Sequence, residues 1–158
     1  MSKMRRGFSI DGQKFSYIPV KNLDLNKLKL SSEKFRYNYL KIACAFDIET
    51  TSYYSKKYDR DLATMYIWQL SLDKETIIGR TWEEFIKAIE ALNDYAEKRE
   101  GVILCLIQNL SFEFQFFCTQ LKIKEVMSRA SRKVMTCTLS DYNIQFRCSL
   151  YMTNVKLA

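Results

Sequence analysis

Apolar and polar positions fall into short blocks along this chain, and the blocks predict most of its elements. Residues 41–48, KIACAFDI, form an apolar run that ends in a polar cluster, the pattern of a buried central strand whose end opens onto a site. A second strand is expected over 66–72 and a short third one over 76–79, joined in a hairpin through Asp73, Lys74 and Glu75. Thr81-Trp82-Glu83-Glu84 reads as a capping box, and Phe85, Ile86, Ile89, Leu92 and Tyr95 follow at helical spacing. A helix is therefore expected through Arg99, with Gly101 as its breaker. Residues 102–107, VILCLI, are a second buried strand that delivers Gln108 and Asn109 at its end. A helix over 111–121 and strands over 134–139 and 144–148, around a turn at 140–143, complete the pattern. Residues 1–40 show weak periodicity with aromatic and basic residues interleaved, and are read as a basic arm with one strand around 15–20. The fold class this describes is a mixed α/β sheet with helices packed on it, over residues 41–158, without internal repeat or linker.

Composition agrees with one compact domain. The chain has 158 residues, 47% of them hydrophobic and 27% charged, and a chain of this size hides roughly 68–70% of its unfolded surface. No apolar run approaches the ~18 residues of a membrane span. The basic start, residues 1–6, is not followed by the apolar stretch of a secretory signal, so a cytoplasmic setting without a membrane partner is expected. Five cysteines, odd in number, widely spread and without a CxxC, read as reduced structural thiols. Histidine is absent. That removes imidazole acid–base work, histidine-activated nucleophiles and histidine-ligated zinc, and leaves carboxylates, hydroxyls, amines or a bound metal to do any chemistry. Trp68 and Trp82 are expected to pack in the core or at the helix start.

The formal charge of +7 is carried by the first 41 residues, where ten Lys and Arg meet three acidic residues; the remainder balances at fifteen against fifteen. Such a flank gives electrostatic affinity for nucleic-acid phosphates, or merely keeps the protein in solution. A local basic stretch, Lys122 to Lys133, is either a solvated loop or a phosphate-contacting rim.

Asp47 and Glu49 lie two positions apart on an expected strand, so both carboxylates point to the same face. Together they would repel one another unless a cation joined them, and hard oxygen ligands without His or Cys suit magnesium or manganese. An ordinary solvent-facing strand end is the plain alternative. Context adds to the pair. The strand reads FDIETT, and the second buried strand ends in Asn109-Leu110-Ser111-Phe112-Glu113.

FDIETT resembles the first motif of DnaQ-like 3′-5′ exonucleases, and NLSFE, about sixty residues later, resembles their second. The spacing and the trailing Phe114-Gln115-Phe116-Phe117 are most similar to the proofreading domain of protein-primed family B DNA polymerases of phages and linear plasmids, over about residues 41–158. The resemblance implies an RNase H-like fold. It implies that Asp47, Glu49 and Glu113 are the catalytic metal ligands, holding two Mg2+ or Mn2+ ions about 3.5–4 Å apart for phosphodiester hydrolysis. It further implies that Thr50, Asn109, Phe112, Ser149 and Leu150 contact the single-stranded DNA 3′ end, with Phe112 stacking on its last bases. A terminal priming protein would be a further partner of such a polymerase.

The chain also departs from the family. Glu113 stands where an Asp is usual, Gln108 where a His is usual, and Cys148 where the Asp of an Asp-Ser-Leu segment is usual. The third motif, a Tyr followed four residues later by Asp, is absent, so residues 1–158 are expected to be the front portion of a longer polymerase with little exonuclease activity of its own. Two other classes remain open at this stage: a non-catalytic single-strand-binding module of the same fold, and a free-standing oligonucleotide nuclease.

Overall fold

The computed structural model describes residues 4–153. Its strands are β1 (Arg6–Ile10), β2 (Gln13–Pro19), β3 (Cys44–Ser55), β4 (Arg60–Leu72), β5 (Glu75–Gly79), β6 (Ile103–Ile107), β7 (Ile123–Ser128), β8 (Val134–Leu139) and β9 (Ile144–Cys148). Its α-helices are α1 (Trp82–Glu97), α2 (Leu110–Phe117) and α3 (Ser149–Thr153). The strands make one mixed sheet in the order β1-β2-β5-β4-β3-β6-β9-β8-β7. β3 is antiparallel to β4 and parallel to β6, β6 is parallel to β9, and the β9-β8-β7 flank is antiparallel.

Alternation decides which side of the sheet is covered. Along β3, Cys44, Phe46 and Ile48 are buried while Ala45, Asp47 and Glu49 are exposed. Phe46 meets Phe85 of α1 at 4.7 Å between ring centroids, and Phe146 of β9 meets Phe117 of α2 at 5.0 Å. Both helices therefore lie on the Phe46 face. The face bearing Asp47 is left more open.

α1 forms where its cap and apolar spacing predict. Thr81 Oγ1 accepts from the Glu84 N–H at 3.1 Å, while the Glu84 carboxylate accepts from the Arg80 N–H at 2.7 Å, one residue earlier than a capping box requires. Phe85, Ala88, Ile89, Leu92 and Ala96 bury one face. Trp68 is fully buried beside Phe85, with its indole N–H donating to the Thr81 carbonyl at 2.9 Å. Trp82 packs edge-on against Phe85. Gly79 makes the Trp68 arrangement possible, because a Cβ there would lie 2.3 Å from the indole ring.

Four expectations need correction. The strand expected around 15–20 is present as β2, but residues 6–40 are more than an arm: β1 and β2 form a hairpin through Asp11 and Gly12, and β2 joins the sheet by parallel pairing of Ile18 with Ile77 and Pro19 with Ile78. Ile18, Val20, Leu25 and Leu40 enter the core. β3 and β4 are longer than the apolar runs that marked them, because a hydroxyl- and Tyr-rich stretch with good strand propensity continues the ladder as a solvent-exposed ribbon. Residues 123–128 form an edge strand and not a loop, its exposed Val126 and Met127 giving no sign of burial. Finally, α2 stops at Phe117, four residues early, as Gln120 and Leu121 turn back to the Phe117 carbonyl.

Candidate active site

β3, β6 and β9 run parallel, so the residues that follow them gather at one edge of the sheet. Asp47 lines a cleft of about 460 Å³ on the open face, with Gln69, Ser71, Thr76, Gln108 and Ser149 as its other polar groups and Ala45 and Leu106 among its apolar lining. Gln108 follows β6 and Ser149 opens α3 directly after β9. The Ser149 hydroxyl donates to Gln108 Oε1 at 2.9 Å, and the Cys148 thiol donates to the Gln108 carbonyl at 3.5 Å. Gln108 is thus a hydrogen-bonded glutamine that braces two strand ends.

Glu113 lies in the first turn of α2 and is 4% exposed. Its Oε2 has no hydrogen-bond partner. Burial pushes its carboxyl up to about 7; its own backbone N–H works against the shift, and the charge of Asp47 adds to it. Two carboxyl groups from separate elements thereby sense each other, one exposed and one buried.

Among the described residues, no three acidic or cysteine side chains stand together at the mutual spacing of a preformed metal site. The donor set nonetheless suits a hard divalent cation. Asp47 and Glu49 share the outward face of β3, both exposed, and the orphaned Oε2 of Glu113 is the kind of buried oxygen a cation satisfies.

The other expected contacts are scattered. Asn109 is the exposed residue before α2; its side chain makes no cap bond, and its carbonyl accepts from the Phe112 N–H at 2.8 Å. Phe112 is 38% exposed and leans on Phe116 at 5.1 Å. Thr50 is half-buried just past an irregularity that shifts the β3–β4 register between Glu49 and Thr50, a device common beside functional sites. Leu150 is half-buried and packs on the core, so it does not share the cleft lining with Ser149. Of the expected residues, Asp47 and Ser149 line one cleft and Glu113 is electrostatically linked to it.

No family model, curated protein or solved structure matches this chain.

One group went unread in the sequence: the ribbon past Glu49, where Tyr53, Tyr54 and Tyr58 are exposed and where Lys57 and Arg60 lie over the Tyr58 ring at 5.1 and 5.8 Å. The run Ser52-Tyr53-Tyr54-Ser55-Lys56-Lys57-Tyr58, too polar for a core, was the available signal.

Proposed function

We propose that this chain is the 3′-5′ exonuclease portion of a DNA polymerase, acting on a single-stranded DNA 3′ end with divalent metal. The observation that carries the reading is a buried, unsatisfied Glu113 that feels the charge of Asp47, itself lining an open cleft. The five central strands, β5-β4-β3-β6-β9, are antiparallel on one side of β3 and parallel on the other. That order fits the RNase H-like sheet the resemblance implies.

Asp47, Glu49 and Glu113 are the residues that would hold magnesium or manganese, which when bound supplies an activated water and charge neutralisation at the phosphodiester. The chain's own groups do the rest. The exposed Asn109 amide can donate to phosphate or sugar oxygens, and Phe112 offers a ring to a terminal base, worth ~1–3 kcal/mol. Ser149 and Gln108, hydrogen-bonded to each other, form a polar wall opposite Asp47. The ribbon tyrosines extend the stacking surface beyond the cleft.

Titration calorimetry with Mn2+, paired with trimming of end-labelled single-stranded DNA, tests the assignment. Asp47→Asn and Glu113→Gln should each weaken Mn2+ binding and abolish whatever trimming the wild-type chain supports. Equal Mn2+ affinity in both variants refutes the metal site. DNA binding that survives chelation in a chain without Mn2+ affinity would instead identify a non-catalytic single-strand-binding module.

A further inference from the structure

We propose that a second cleft, beside the β4–β5 turn at the amino-terminal end of β3 and sharing no lining residue with the candidate active site, binds a nucleoside phosphate. The cleft has a volume of about 980 Å³ and lies between Met4-Arg5, residues 27–30 at the end of a 3-10 turn (Leu25–Lys27), and the β4–β5 turn at residues 72–75. Its size is at the upper end for small-molecule sites.

Three chemical characters meet there. Four cations line it, Arg5, Lys27, Lys29 and Lys74, against Asp73 and Glu75. Arg5 is committed to Glu75, and Lys27 to Asp24 at 2.8 Å. Lys29 and Lys74 have no ion pair among the described residues, so two ammonium groups stand uncompensated on the rim. The alternation Lys27-Leu28-Lys29-Leu30 sends its two leucines, both half-buried, inward beneath those charges. Asp73 is held rigidly: its carboxylate accepts from the Ala43 N–H at 2.9 Å, and its own N–H donates to the Ala43 carbonyl at 2.7 Å. One carboxylate oxygen can still accept.

A ligand that satisfies all three must carry an anion for the lysines, a flat or apolar body for the leucines, and hydroxyl or amino donors for Asp73 and Glu75. A nucleoside phosphate has this combination. A bare polyphosphate leaves the leucines and the acids unused, and an acyl carboxylate leaves the acids unused. The inference does not depend on the exonuclease reading, because none of its residues lies in the Asp47 cleft.

Binding of a fluorescent ATP analogue, with EDTA present and competed by unlabelled ligands, is the test. ATP should compete, and adenosine and tripolyphosphate should each be at least roughly tenfold weaker. The exposed pair Lys29→Glu with Lys74→Glu should weaken ATP by roughly tenfold or more at an unchanged melting temperature, and Lys29→Gln with Lys74→Gln by less. Asp47→Asn should leave the affinity as it is. The site is overturned if ATP fails to compete at millimolar concentration, if the charge-reversed variant binds as tightly as wild type, or if Asp47→Asn abolishes binding. Competition by tripolyphosphate equal to ATP, or by dodecanoate better than ATP, rules out the nucleoside.

Discussion

The carboxyl of Glu113 is held near neutrality by burial, and the charge of Asp47 reinforces the effect. Between its ordinary value of 4.5 and about 7, the folded protein keeps a proton here that the unfolded chain has lost. The stability this group contributes is complete at acid pH and falls as pH rises through that window. Glu113→Gln should flatten the slope and raise the melting temperature above that of wild type at alkaline pH. Thermal melts at about pH 5 to 8 read this directly, and an unaltered slope in the variant would show that the proton is not bound there.

The same proton competes with a cation. Mn2+ affinity should therefore climb as pH passes about 7 and then level off. Trimming should follow the same profile, whereas single-strand binding through Phe112 should be insensitive to it. A Mn2+ affinity that is flat with pH would separate Glu113 from the metal.

Gly79 and Trp68 form the tightest steric dependence in the core, with 2.3 Å between the absent Cβ and the indole. Gly79→Ala should cost about 1–3 kcal/mol and displace the indole from the Thr81 carbonyl. A lower denaturation midpoint together with a red-shifted tryptophan emission is the expected outcome. An unchanged midpoint would mean the ring has room to move.

Asn93 joins α1 to the turn before β9: its Oδ1 accepts from the Asn143 N–H at 2.7 Å and its amide donates to Glu97 at 2.8 Å. Asn93→Leu leaves a backbone donor stranded and should cost about 1–3 kcal/mol, read as a shift in denaturation midpoint with the denaturant dependence unchanged.

The ribbon tyrosines are exposed and bury little, so changing Tyr53, Tyr54 and Tyr58 together to Ser should leave the melting temperature near wild type. If they stack on bases, single-stranded DNA affinity should drop roughly tenfold or more for long oligonucleotides and hardly at all for very short ones that fill only the cleft. Equal loss at every length would argue that the ribbon shapes the cleft instead of extending it.

Much of the centre of this fold was legible because each residue's local pattern agreed with its burial. Phe46 and Ile48 alternate with Asp47 and Glu49, and Thr81 announces α1. The flanks were legible only in part: a strand around 15–20 was expected and is β2, but its docking in the sheet, β1 and β7 were not. β2 owes its place to Ile18, whose partner Ile77 is distant in sequence, and β7 is an edge strand with little to bury. At the candidate site, residue types and spacing pointed to Asp47 and Glu49 and the resemblance added Glu113, but the burial of Glu113 and the bond between Ser149 and Gln108 arise only when separate strand ends meet. Leu150 follows Ser149 in sequence yet turns to the core, since neighbouring residues of a helix face different ways.

Parallel docking of β2 on β5 sets an order of events during synthesis. Ile18 leaves the ribosome about sixty residues before Ile77, which at usual elongation rates is a wait of about 3 to 12 s. Throughout that interval the amino-terminal hairpin has no slot to occupy. Removing it from the finished protein would uncover the β5 rim, a row of amides ready to recruit a neighbouring molecule, so shortened versions of this chain should tend to self-associate.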